Sequence, residues 1–173
     1  MIKSDMYTLA IAALLFATML YILNFAYGIS HELAHALLVK ALGGTVYDIY
    51  VNPFGMDAFT SHSPTTGVDF LLVELAGMGV TTIISLALTV AGRETIPAFF
   101  ALRTLIYALD YTPGTDIANI QAALGNPTFA ITTVLVAINL ACIACALRRR
   151  ILLLLKDFST SLSRERPVHN SGG

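Results

Sequence analysis

Charge is what this sequence has least of. Only 12% of its 173 residues are Asp, Glu, Lys or Arg, about half the share of a soluble domain, which puts a water-soluble enzyme or a nucleic-acid binder well down the list. The net charge of −1 offers nothing to a polyanion, so nucleic acid is not an expected partner. Cysteine is scarcer still. Cys142 and Cys145 form a C-x-x-C, but they sit inside an apolar run with no second Cys or His pair nearby, so they read as small packing or lipid-facing residues rather than a redox or metal site. What the chain has in abundance is apolar residues, 56% of the total, with a mean hydropathy of +0.74. The composition is that of a protein embedded in a lipid bilayer. Its length allows roughly four crossings of about 20 residues each, short connections, and no large soluble domain.

The apolar runs define the organisation. No charge occurs from Met6 to Ser30, and 25 helical residues rise about 37 Å, enough to cross a hydrocarbon core of about 30 Å with tilt. A secretory signal has a much shorter apolar core, so this is a first span. Nothing breaks its helical pattern until Gly43 and Gly44, so the helix is expected to continue through His31 and Lys40 with Gly43 as its C-terminal cap. Thr45 to Val51 is rich in β-branched and aromatic residues; with Pro53-Phe54-Gly55 as a turn and Met56 to Thr60 returning, it predicts a short β-hairpin. Ser61 to Gly67 reads as a loop. A second span follows from about Val68 to Gly92, and a third from about Pro97 to Leu109. The segment from Asp110 to Asp116 interrupts the pattern, with Pro113-Gly114 as a turn and Thr115 or Asp116 as the N-cap of a short helix to about Leu124. Thr128 to Leu147 is the fourth span, ended by Arg148-Arg149-Arg150. The expected fold is therefore an all-α polytopic membrane protein with about four transmembrane helices, a short β-hairpin after the first and a short helix before the last. Residues 1–156 form the embedded core and residues 157–173 a polar, disordered tail.

The chemistry centres on His31-Glu32-Leu33-Ala34-His35, an H-E-x-x-H on a predicted helix. Residues four apart share a helix face, so both imidazoles reach one tetrahedral Zn²⁺, and Glu32 beside His31 is placed to take a proton from an activated water. With four His and four Glu in the chain, chance gives this pattern on the order of once in 500 such sequences, so it is a specific signal. Ionisable groups within an apolar helix are costly and usually functional. A zinc hydrolase uses three protein ligands and leaves the fourth position open. Leu38 and Ala41 occupy the positions where the extended soluble motif carries Gly and His, so the third ligand comes from elsewhere. His62, Asp69, Glu74, Asp110 and Asp116 are the candidates; Asp116 follows a Pro-Gly turn and begins a helix between spans. Glu74 and Arg103 lie in or near spans two and three, where charges are expected to pair or snorkel. Asn139 is expected to bond between helices.

H-E-x-x-H inside a span, the Ala76-Gly77 pair in the second, and Asp110-Tyr111-Thr112-Pro113 followed by Thr115-Asp116-Ile117 together resemble the site-2 protease family of intramembrane zinc metalloproteases, over about residues 20 to 125. That family's Ala-Gly-Pro-x-x-Asn is matched only in Ala76 and Gly77, with Thr81 where the Asn would be. Of its Asn-x-x-Pro and Leu-Asp-Gly elements, Pro113 and Asp116 match, while Asp110 and Ile117 depart. The resemblance implies one Zn²⁺ on His31, His35 and Asp116, Glu32 as general base, and hydrolysis of a peptide bond in a membrane-spanning protein substrate. Asp110 stays open as an alternative ligand, and the departure at Thr81 leaves open what binds the substrate backbone. The hairpin edge is a candidate surface for an extended substrate. Two other classes remain: an inactive relative that binds membrane helices, and a metal-binding transporter component. Glu32 favours the enzyme, since a metal site alone needs no base.

Lys3, Arg93 and the Arg148 to Arg150 cluster against a lone Lys40 put both termini in the cytoplasm of a multi-pass cell-membrane protein by the positive-inside rule. Any regulation is expected from a membrane partner or from trimming of the substrate.

Overall fold

The computed structural model describes residues 2–52 and 57–164. Five helices and one hairpin follow in the order α1 (Ile2–Ala41), β1 (Val46–Val51), β2 (Ala58–His62), α2 (Gly67–Val90), α3 (Thr95–Ala108), α4 (Asp116–Leu124) and α5 (Thr128–Arg164). Helix α1 is 40 residues long because nothing in it competes with helix until the glycine pair. Gly43 then takes a φ of 83°, a conformation in which a Cβ would be strained. The Gly43 and Gly44 N–H groups donate back to the Lys40 and Val39 carbonyls at 3.0 and 2.8 Å, closing the helix end.

The hairpin forms as an antiparallel pair, with Val46 opposite His62 and Val51 opposite Ala58. Its return strand lies two residues further along than expected, reaching His62 rather than ending at Thr60. The Ser63 N–H donates to the Thr45 carbonyl and the Thr45 N–H to Ser63 Oγ, so pairing continues to the foot of the hairpin and the loop before α2 starts at Ser63. The expected turn at Pro53-Phe54-Gly55, with Met56, lies outside the described residues.

Among the described residues three helices, α1, α2 and α5, are long and apolar enough to cross a membrane. Of the about four spans expected, these three have membrane-crossing length, and helix α3, at 14 residues or about 21 Å, is a shorter apolar helix. Pro113-Gly114 stops the chain from continuing as helix. Helix α5 also differs from expectation. It runs through Arg148-Arg149-Arg150 and on to Arg164, so residues 157–164 of the expected disordered tail are helical; Leu, Lys and Arg are good helix formers and no Pro or Gly intervenes. Residues 165–173 lie outside the description.

The contacts give the path of the chain. His31 and His35 of α1 lie against Gly77 and Val73 of α2, so the two helices run antiparallel. Helix α3 climbs back along α2, with Thr104 opposite Thr81, and stops at the level of the histidines, where the Tyr107 and His31 ring centroids are 5.0 Å apart. Helix α5 descends past Thr82, which accepts from Asn139 at 2.9 Å, to Thr89, whose carbonyl accepts from Arg149 at 2.6 Å. The N-terminus of α1 and the C-terminal half of α5 therefore lie toward the same end of the bundle. In a bundle whose outer surface is as apolar as lipid, close packing and buried hydrogen bonds hold helices together. Asn139 bonds between helices as the sequence suggests. A second connection runs from Tyr27 on α1 to Thr104 on α3, then to Thr81 and the Gly77 carbonyl on α2. Met78, Ala108, Ile117 and Ile120 form the core that seats α4. Cys142 is buried, Cys145 is exposed, and both are free thiols.

Candidate metal centre

His31, Glu32 and His35 occupy one turn of α1 and are all buried. Asp116 arrives from the opposite side of the bundle, at the first residue of α4. Its Oδ2 lies 2.9 Å from His31 Nε2 and 3.3 Å from His35 Nε2, and one ligand atom from each of the three residues falls within 4.8 Å of the others. In a tetrahedral zinc site with bonds of about 2.0–2.1 Å, ligand atoms stand about 3.4 Å apart, close to the spacing seen here. The chemistry of this donor set, two imidazoles and a carboxylate, is that of a zinc site with one position left over.

Both histidines are held by neighbours. The Nδ1–H of His35 donates to the Val73 carbonyl at 2.6 Å, which holds the ring so that Nε2 is the nitrogen turned toward Asp116, the arrangement in which a backbone carbonyl orients a metal-binding imidazole. The His31 ring is enclosed by the rings of Tyr27, Tyr107 and His35, with centroids 5.9, 5.0 and 4.9 Å away. Beneath it passes the backbone of α2 at Gly77, where a Cβ would fall 2.5 Å from His31 Cδ2 and Cε1. Only glycine permits that approach. Glu32 turns toward the hairpin, and the Thr60 hydroxyl donates to its Oε2 at 2.9 Å. His31, Glu32 and Asp116 line a cavity of about 260 Å³ together with Asp57, Tyr107 and Asp110.

The other candidates lie outside the group of three. Asp110 lines this cavity but lies outside the ligand group. Its carboxylate closes the loop by accepting from the Thr112 N–H at 3.0 Å. Asp69 is exposed in the first turn of α2. His62 donates Nδ1–H to the Ser63 carbonyl. Glu74 and Arg103 do not meet as a pair. Glu74 accepts from Asn119 Nδ2 at 2.9 Å, and the Arg103 guanidinium lies over the rings of Tyr27 and Tyr107, 5.3 and 5.4 Å from their centroids, where the negative faces stabilise its charge. Thr81 is fully buried, with its hydroxyl on the Gly77 and Met78 carbonyls of its own helix and accepting from Thr104 of α3.

Val73, Gly77, Thr60 and Asn119 are the contributors that sequence reasoning did not find. A backbone carbonyl leaves no trace in sequence. Gly77 was visible as half of the Ala-Gly pair, and Asn119 was detectable as the residue one turn after Asp116 on the same helix face. No family model, curated protein or solved structure matches the chain.

Proposed function

We infer that this chain is an intramembrane zinc metalloprotease that hydrolyses a peptide bond of a membrane-spanning protein. The observation that carries the reading is the meeting of His31, His35 and Asp116 Oδ2 from two separate helices, with a buried carboxylate, Glu32, next in sequence to the first ligand. When bound there, zinc supplies a Lewis acid and lowers the pKa of its water to about 7. Glu32 lines the same cavity as His31 and Asp116 and acts as general base and then as proton donor to the leaving amine. Thr60 orients it, its one hydroxyl proton shared between Glu32 Oε2 at 2.9 Å and the Glu32 carbonyl at 3.0 Å. The two histidines and Asp116 hold their positions and do not transfer protons.

Cleavage also requires an extended substrate, because a helix hides its peptide bonds and unpaired backbone groups in lipid cost several kcal/mol each. Strand β2 runs beside Glu32, and Asp57 and Ala58 border the cavity. A substrate segment that pairs with the hairpin edge satisfies its backbone while its scissile bond reaches the cavity. The fourth crossing of this reading is made by α3 together with the loop and α4. Irregular backbone at that depth is tolerated because it lines a cavity rather than lipid. Both termini then face the cytoplasm.

The test is zinc per chain in detergent-purified protein, paired with cleavage of a reconstituted transmembrane reporter. About one zinc in wild type, lost in His35→Ala and Asp116→Ala, with Glu32→Gln retaining zinc but losing cleavage, is the expected result. A wild type that takes up no zinc when it is supplied overturns the reading. Deletion of residues 45–60 should abolish cleavage, and unchanged cleavage would remove the hairpin from the mechanism.

A further inference from the structure

We propose that Glu74 and Asn119 are positioning residues that set the rotation of α4, and with it the place of Asp116 in the metal centre. This rests on the zinc reading above. Asp116 is the first residue of a nine-residue helix whose N-cap, Thr115, makes no side-chain capping bond to it. The Thr115 hydroxyl is turned back to the Asp110 and Thr112 carbonyls, and the preceding Gly114, at a φ of 95°, has nothing within 4 Å of where a Cβ would stand. The loop therefore delivers Asp116 without fixing its direction.

Ile117 and Ile120 bury fully against α2 and α5, but apolar contact is non-directional and tolerates rotation about the helix axis. A carboxylate about 5 Å from that axis swings about 1.7 Å for a 20° turn, several times the roughly 0.2 Å tolerance of a metal–ligand distance. Something directional must hold the angle.

Asn119 meets that need. It lies three residues after Asp116, on the same face of α4, and donates Nδ2 to Glu74 Oε2 at 2.9 Å. Glu74 directly follows Val73, whose carbonyl holds His35, and Gly77 one turn later seats His31. A single turn of α2 thus references all three ligands, two by hydrogen bonds and one by close contact. Glu74, Asn119, His35 and Asp116 also line one small cavity of about 170 Å³, which leaves the Asn119 amide facing the ligands' own surroundings rather than lipid.

The pair lends itself to polarity reversal. Asn119→Asp sets two carboxylates against each other; Glu74→Gln with Asn119→Asp restores one hydrogen bond with donor and acceptor exchanged. Zinc affinity is measured by chelator competition on the purified full chain, with unfolding of the zinc-free protein in SDS followed alongside. Partners that orient metal ligands are worth about 10–100-fold in affinity. Asn119→Asp is expected to weaken zinc by that factor and the double variant to return close to wild type, with the zinc-free unfolding curves of wild type and double variant superimposing. Asn119→Asp binding as tightly as wild type overturns the positioning role, as does a double variant that stays weak. Absence of zinc from wild type instead overturns the metal reading and this inference with it.

Discussion

Replacing Gly77 with alanine adds one methyl group, and the structure says where it goes. The new Cβ meets His31 Nε2, Cδ2 and Cε1, with the two carbons at 2.5 Å, whereas carbon contacts relax to about 3.5–4.0 Å. Roughly 1 Å must be found. The imidazole cannot yield it, since Tyr27, Tyr107 and His35 surround the ring. Nor can α2 easily retreat, because its Thr81 is tied through Thr104 to Tyr27 on the same helix as His31. Overpacking of this kind costs about 1–3 kcal/mol. If that cost falls on the metal-competent position of His31, zinc affinity drops about 5- to 150-fold, at 1.4 kcal/mol per decade. Gly79→Ala is the matched control: the same change two residues along the same helix, with nothing within 4 Å of the new Cβ, so it should bind zinc as wild type does and gain slightly in helix stability. Chelator competition with both variants separates the cases. Equal affinity for Gly77→Ala and Gly79→Ala would refute the argument that α2 seats the His31 ring.

Thr60→Val keeps the shape of the β2 side chain but removes the donor to Glu32; a hydrogen bond to a charged group contributes about 1.5–3 kcal/mol, so reporter cleavage should fall at least about 10-fold at unchanged zinc content, and an unchanged rate would separate Thr60 from the base. Asp110→Ala should retain its zinc, because that carboxylate serves the loop, and loss of the metal would restore Asp110 as a ligand. Asn139→Leu, which cuts the buried bond from α5 to Thr82, should destabilise the bundle in SDS titration by about 0.6–1.7 kcal/mol while zinc binding persists; parallel loss of zinc would mean that α5 supports the metal centre directly.

Much of this architecture follows from patterns that are local in sequence. The uncharged run of α1, its end at Gly43, and the hairpin after it were legible because each rests on hydropathy, on positive φ, or on β-branched composition. Helix α3 was legible in its place and bounds, but not in whether 14 residues cross the membrane, because hydropathy reports how apolar a segment is, not how far its neighbours let it travel. The end of α5 was misjudged because three arginines mark a membrane boundary without breaking a helix. At the site, His31, Glu32 and His35 were readable from their spacing. Asp116 stood out among several acids by its turn, but its meeting with the histidines depends on α4 folding back across α2, a long-range fact. The Glu74 carboxylate was read as a charge in search of an opposite charge; it found an amide, because Arg103 was already accommodated between two tyrosines.

On the protease reading, the position of the histidines along their helix bears on which bond is cut. From His31 to the end of α1 at Ala41, and from Gly77 back to the start of α2 at Gly67, the distance is ten residues, about 15 Å in each case, or half the thickness of a hydrocarbon core. Strand β2 passes Glu32 at its middle residue, Thr60, and an extended chain rises about 3.3 Å per residue. An extended substrate would cross those 15 Å in about five residues, whatever their side chains. In such a protease the scaffold works as a ruler: selection is by distance from the membrane face, and the substrates it spares are those whose helices will not unwind that far.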